Sequence, residues 1–254
     1  MYKWIKDNKL TVNSNKSSFT IFTTKHLRNN INFLDNINVN NERILISSNT
    51  KYLGVVIDED LNWKEHVQQM CNELKGMFSM FYYIRRYLSV EHVKTIYYTL
   101  IYSKIKYGLA VYGAANSGVI NSIQTLQNQL LKVLREKPYR YCTNILHNEL
   151  ELIKVEDLYK QEILIFTHSF QNKNLPSIFD HYFTNFASIH NINTRYRNTC
   201  FIIPRVSSNL GATQIMFQGA VLWNNLDNKL KGITKLKSFG KSLNGAFLPY
   251  HLPL

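Results

Sequence analysis

At about residue 62 the hydrophobic period of this chain changes from two to about 3.6, and that change divides what it can fold into. Before it, Phe19-Thr20-Ile21-Phe22 alternates like a half-buried strand. Ile44-Leu45-Ile46 and Tyr52 to Ile57 are β-branched runs separated by Ser47-Ser48-Asn49-Thr50, a turn-forming set that predicts a hairpin. Trp4-Ile5 to Leu10 reads as the end of a short helix, and the Asn-dense stretch from His26 to Asn41 reads as a loop.

After residue 62, apolar residues recur at helical spacing. Val67, Met70, Cys71, Leu74, Phe78, Phe81 and Leu88 share one face, with Asn62 as a cap. A second helix starts after Ser89, buries Val93, Ile96, Tyr97, Leu100, Ile101, Ile105 and Leu109, and ends or kinks at Gly108 and Gly113. A third carries Ile120, Ile123, Leu126, Leu130, Leu131 and Leu134 and stops before Pro138. A fourth runs from about Val155 to Phe170 and ends before Pro176. The short connections suit antiparallel neighbours in a bundle. The pattern weakens after about Asn185, with a last amphipathic helix expected over Lys235 to Phe247. The fold class expected is α+β, mainly α. Residues 1–61 form a small strand region, 62–185 a helical bundle and 186–254 a C-terminal extension.

Composition narrows the partners. Thirty Lys+Arg stand against 17 Asp+Glu, a formal net charge of +13, which favours a polyanion because neutralised phosphates release condensed counterions. Cys71, Cys142 and Cys200 are odd in number and far apart, which suits a reducing compartment, the cytoplasm or nucleus. No apolar run is long enough for a membrane span. Lys64, Lys75, Arg85, Arg86, Lys94, Lys104 and Lys106 are interleaved with Tyr82, Tyr83, Tyr97, Tyr98 and Tyr102, a mixture suited to phosphate contact and base stacking. The plainer reading puts the tyrosines in the core and the lysines on a solvated face.

Other constellations carry less. Asp58-Glu59-Asp60 has metal-ligand chemistry, but its place between a strand and a helix favours turn and capping work. Cys142, His147, His190 and Cys200 have poor zinc spacing. No G-x-S-x-G elbow and no phosphate-cradling glycine loop is present.

Four blocks, in order, resemble the reverse transcriptases of jockey-like non-LTR retrotransposons. The first is Trp4, Asn8-Lys9-Leu10 and Asn13-Ser14-Asn15-Lys16-Ser17, with Ser17 in place of the family's usual Thr. The second is Tyr52-Leu53-Gly54-Val55 with Asp58, Leu61 and Trp63. The third holds Tyr97, Leu100, Ile101, Lys104, Tyr107-Gly108, Tyr112-Gly113 and Gln124-Thr125-Leu126-Gln127; Tyr112 replaces a common Trp. The fourth is Leu222-Trp223-Asn224-Asn225-Leu226 with Lys237-Ser238-Phe239, and Asp227 stands where Pro is usual.

The resemblance implies the late palm, primer grip and thumb of an RNA-directed DNA polymerase. Tyr52, Leu53 and Gly54 would then belong to a primer-grip strand, Lys16 would lie near nucleotide phosphates, and Lys75, Arg85 and Arg86 would hold a template–primer duplex. Such polymerases use carboxylates and two divalent metals, Mg2+ being expected in the intact enzyme. This chain has no Tyr/Phe-Ala-Asp-Asp tetrad. No catalytic residue, metal ligand or cofactor is therefore assigned to it. Its partners are expected to be the RNA/DNA duplex and the parent's palm and fingers. A non-catalytic nucleic-acid-binding module, or a decayed fragment without its own role, is the alternative.

Overall fold

The computed structural model describes residues 2–10, 13, 17–23, 27–28, 36–39, 42–186 and 200–248. It is mainly helical, with two small sheets, as the period change implies. The chain divides into two compact units, Met1–Gln69 and Met70–Leu254. No helix among the described residues is long and apolar enough to cross a membrane.

The first unit opens with α1 (Tyr2–Asp7). Its three-stranded sheet comprises β1 (Ser18–Phe19), β2 (Asn36–Val39) and β3 (Glu42–Ile46). The order is β1-β3-β2, with β1 parallel and β2 antiparallel to β3. The Asn-rich stretch thus contains a strand, Asn36–Val39, where a loop was expected. Ladder hydrogen bonds depend on the backbone, so asparagine pairs there despite its poor strand propensity.

The expected hairpin is also displaced. β3 does not pair across Ser47–Thr50; instead β4 (Asn49–Tyr52) pairs with β5 (Val55–Asp58), and Leu53-Gly54 is the two-residue loop. Leu53 and Gly54 both have positive φ, 46° and 82°. That turn geometry matches the right-handed twist of the flanking strands. Gly54 adopts it without steric cost, whereas Leu53 is strained by about 1 kcal/mol or more.

Asp58 organises the passage from β5 to the first long helix. Its Oδ1 accepts from the Asp60 and Asn62 amides at 3.2 and 3.0 Å, and its Oδ2 from the Trp63 amide at 2.7 Å. Leu61 and Trp63 are held there at φ of 54° and 63°. Asn62 Oδ1 then accepts from the Lys64 amide at 3.0 Å, the cap expected for α2 (Lys64–Gly76).

In the second unit, α3 (Phe78–Ile84) ends in a 3-10 turn, Arg85–Tyr87, and packs on α7 (Ser117–Leu134). Between them, α4 (Val90–Ile96) is followed by a wide π-helical turn, Tyr97–Tyr102, then α5 (Ser103–Lys106) and α6 (Leu109–Tyr112). The expected single helix is therefore interrupted. Thr95, Thr99 and Ser103 each bond a carbonyl four residues back, which competes with the regular ladder. Beyond α5, Gly108 takes a left-handed φ of 72° and turns the chain.

Helix α8 (Thr143–Leu150), not anticipated from the sequence, leads into α9 (Val155–Gln171). Helices α7, α8 and α9 close alike, with Glu136, Glu151 and Lys173 at positive φ and the next amide reaching back five residues. This is the Schellman closure, built here without glycine. Among the described residues four further α-helices follow: α10 (Asn209–Thr213), α11 (Ile215–Asn224), α12 (Asn228–Lys231) and α13 (Leu236–Phe247).

The C-terminal helices join α9 in an aromatic cluster of Phe183, Phe201, Trp223 and Phe239. Asn224 explains part of the Trp-Asn block. Its side chain accepts from the Phe201 amide at 2.9 Å and donates to the Phe201 carbonyl at 2.8 Å, acting as a stretch of strand.

A buried polar relay fixes the middle of this unit. The Val155 amide donates to Gln124 Oε1 at 2.8 Å, and Gln124 Nε2 donates to Gln127 Oε1 at 2.7 Å. Gln127 Nε2 donates to Tyr97 Oη at 2.6 Å and the Ile153 carbonyl at 3.2 Å. Thus the Leu-Gln block of the sequence is core architecture. His147 lies at the end of the relay, fully buried, with Nδ1 3.0 Å from the Leu152 carbonyl and Nε2 2.9 Å from the Asn128 side chain.

Burial, reinforced by Lys154, pushes the His147 imidazole below its ordinary value, while the Leu152 carbonyl pulls the other way. A depressed folded-state pKa means that the unfolded chain takes up the proton first. Stability associated with neutral His147 is therefore complete above about pH 6.5 and lost as pH falls below it. Urea unfolding should show a lower midpoint at pH 5.5 than at pH 7.5. His147→Gln should reduce that difference, and an unchanged difference would contradict the assignment.

Candidate nucleic-acid interface

The sequence proposed a basic, tyrosine-rich stripe, and the structure divides its members. Lys94 is paired with Glu151 at 2.8 Å, Lys106 with Glu162 at 3.1 Å, and Lys104 with Glu73. Those cations are already neutralised by protein carboxylates, which weakens their claim on phosphate. Tyr97 is 1% exposed and belongs to the core, where burial pushes its phenol upward. Tyr98 and Tyr102 stack edge-on at the core margin, 5.1 Å between ring centres.

What remains outward lies on α2, α3 and the following 3-10 turn. Lys64 and Lys75 are exposed, as are Tyr82 and Tyr83. Arg86 is exposed and makes no ion pair among the described residues. Arg85 behaves differently. Its guanidinium lies 4.4 Å over the Tyr82 ring, and its Nε is 3.9 Å from Glu136, at the end of α7. It braces α3 against α7, so of the adjacent pair Arg86 is the one whose guanidinium has no carboxylate partner among the described residues.

In the first unit, Tyr52 and Leu53 are 65% and 73% exposed, at the end of the β4–β5 hairpin. Tyr52-Leu53-Gly54 is therefore the tip of a hairpin, the end of β4 and its two-residue loop, rather than the continuous strand expected. A strained, exposed leucine contributes little to the core and leaves an apolar contact surface. Lys16, the remaining candidate, lies outside the described residues.

The acidic triplet has other work. Arg28 Nη1 bridges Glu59 at 2.8 Å and Asp60 at 3.0 Å, and Asp58 spends both oxygens on backbone amides. These oxygens are committed to the turn and do not form a donor set suited to Mg2+. No group of three His, Cys, Asp or Glu able to hold a metal occurs among the described residues.

A probable RNA-directed DNA polymerase from transposon X-element of Drosophila melanogaster is 27% identical over 158 residues, 61% of this chain. The RNA-directed DNA polymerases from mobile element jockey of Drosophila funebris and Drosophila melanogaster are 22% and 25% identical over 158 residues. The chain is homologous to jockey-like RNA-directed DNA polymerases. Each of these jockey-like matches spans 17% of the relative's own length. No family model and no solved structure matches the chain.

Several residues of the jockey-like blocks thereby gain a structural reason. Tyr112 is fully buried, and its hydroxyl donates to the Ile105 carbonyl. Next to it, a Cβ on Gly113 would collide with the Tyr159 ring and the Leu109 carbonyl oxygen, so the Tyr-Gly pair is fixed by packing. Sequence reasoning overlooked Glu136, Tyr87 and Tyr139 at the outer end of α7 and α3. Exposure distinguishes the two tyrosines and the Arg85 contact distinguishes Glu136, and neither is encoded in residue type.

Proposed function

We propose that this chain is the gripping portion of a non-LTR retrotransposon reverse transcriptase, holding the template–primer duplex while the parent enzyme's palm and fingers perform synthesis. Homology to RNA-directed DNA polymerases over 158 residues carries the reading. The net charge of +13 and the outward Lys75 and Arg86 support it. Phosphate contacts by these cations would hold the hybrid with little sequence preference. The exposed Tyr52-Leu53-Gly54 hairpin tip would contact the primer near its terminus, where the absent Cβ of Gly54 permits close backbone approach. Mg2+ belongs, on this reading, to the carboxylates of the intact polymerase. The working compartment is the cytoplasm or nucleus.

Fluorescence anisotropy with an RNA–DNA hybrid tests the proposal. Binding should weaken steeply as salt rises. Lys75→Glu with Arg86→Glu should lower affinity by about tenfold and flatten the salt dependence by roughly one unit of slope per lost contact. Salt-independent affinity, or a double variant that binds like the parent, would refute duplex gripping by this surface.

A further inference from the structure

Rings and cations interleave where the 3-10 turn after α3 approaches the segment after α7. Tyr83, Tyr87 and Tyr139 are 85%, 84% and 81% exposed, so nearly all of each ring is available. The Arg85–Glu136 contact of 3.9 Å joins the two segments. On the α7 side, Lys132 Nζ lies 5.4 Å from the Tyr139 ring centre and also bonds the Tyr139 carbonyl, which anchors the loop. Lys137 Nζ lies 4.9 Å from the Tyr141 ring.

The charges are unbalanced. Arg85, Arg86, Lys132, Arg135, Lys137 and Arg140 lie on these two segments, whose one carboxylate, Glu136, is paired with Arg85. Arg86 and Arg140 make no ion pair among the described residues. Glu136 occupies a left-handed position, φ 51°, that brings the loop back over the last turn of α7.

We propose that this tyrosine–cation platform binds an unpaired nucleic-acid strand, with bases stacking on Tyr83, Tyr87 and Tyr139 and phosphates meeting Arg86, Lys137 and Arg140. It rests on the reading of the chain as a nucleic-acid handler, but assigns a ligand of different form from the duplex. Inside a duplex the base faces are already stacked, so exposed tyrosine rings gain nothing from it; an unpaired strand offers its bases freely. The cations supply the sequence-independent component. Both RNA and DNA single strands share the required chemistry.

The test uses the full chain with labelled oligouridylate, oligothymidylate and an RNA–DNA hybrid. The variant is Tyr83→Ala, Tyr87→Ala and Tyr139→Ala together. Single-strand affinity should fall at least about tenfold, with hybrid affinity changed less than about twofold. Phenylalanine at all three positions should restore single-strand binding. A 2-aminopurine base in the strand should be quenched by the parent chain, a reading that needs no variant. Equal losses on strand and hybrid, an unchanged single-strand affinity, absence of quenching, or equally tight binding to phosphatidylserine vesicles would each overturn the proposal. Binding of the hybrid but not of the oligonucleotides would overturn this platform and leave duplex gripping intact; the converse would do the opposite.

Discussion

Leucine at Gln127 is expected to lower the stability of the second unit by about 2–4 kcal/mol despite filling nearly the same volume. Gln127 has no exposed surface, and its amide serves Gln124, Tyr97 and the Ile153 carbonyl. Removing it leaves the buried Tyr97 hydroxyl and Ile153 carbonyl without this partner, and the gain from one more apolar side chain is smaller than their desolvation. Urea unfolding gives the loss directly. Tyr97→Phe removes one of the stranded groups, so the pair of substitutions should cost less than the sum of the two alone. A loss below about 1 kcal/mol, or simple additivity, would show that the relay does not act as a unit.

The second large effect is expected at Asp58→Ala, in the first unit. Three amide contacts to one carboxylate hold the β5–α2 passage, including two non-glycine residues in left-handed conformations. Charge-assisted bonds of this kind are stronger than neutral ones, so about 2–4 kcal/mol should be lost. Asp58→Asn, which keeps one acceptor oxygen, should lose about half as much. Amide exchange at Asn62, Trp63 and the start of α2 provides the local measurement. Unchanged protection in the alanine variant would mean that the turn is held by other contacts. If Asp58 were instead a metal ligand, alanine would leave the apo protein's turn unaffected.

The hydrophobic pattern made much of the helical part legible. The expected inner faces of α2 and α7 are buried at Val67, Met70, Cys71, Leu74, Ile120, Ile123, Leu126, Leu130, Leu131 and Leu134. Periodicity reports burial because each helix must hide one stripe. It was less informative where a backbone deviation changes the period, as in the π-helical turn at Tyr97–Tyr102, and in strands as short as Ser18–Phe19. It also gave no sign of α8, whose eight residues span little more than two turns.

The candidate site divides in the same way. Residue type identified Lys75, Arg85 and Arg86, but not that Arg85 is held over Tyr82 or that Lys94, Lys104 and Lys106 are engaged by glutamates. Nor could it distinguish Tyr97, in the core, from Tyr83, in solvent, although both sit among the same cations in sequence.

By itself, then, the sequence determined the helical character after residue 62, the excess of positive charge and the kinship with retrotransposon polymerases. These depend on local periodicity, composition and the order of residues, which are all present along the chain. Only the tertiary structure decided which strand Tyr52 pairs with, which cations keep a free charge and which tyrosines face outward. Those are relations between segments distant in sequence, and they are fixed when packing brings one helix or strand against another.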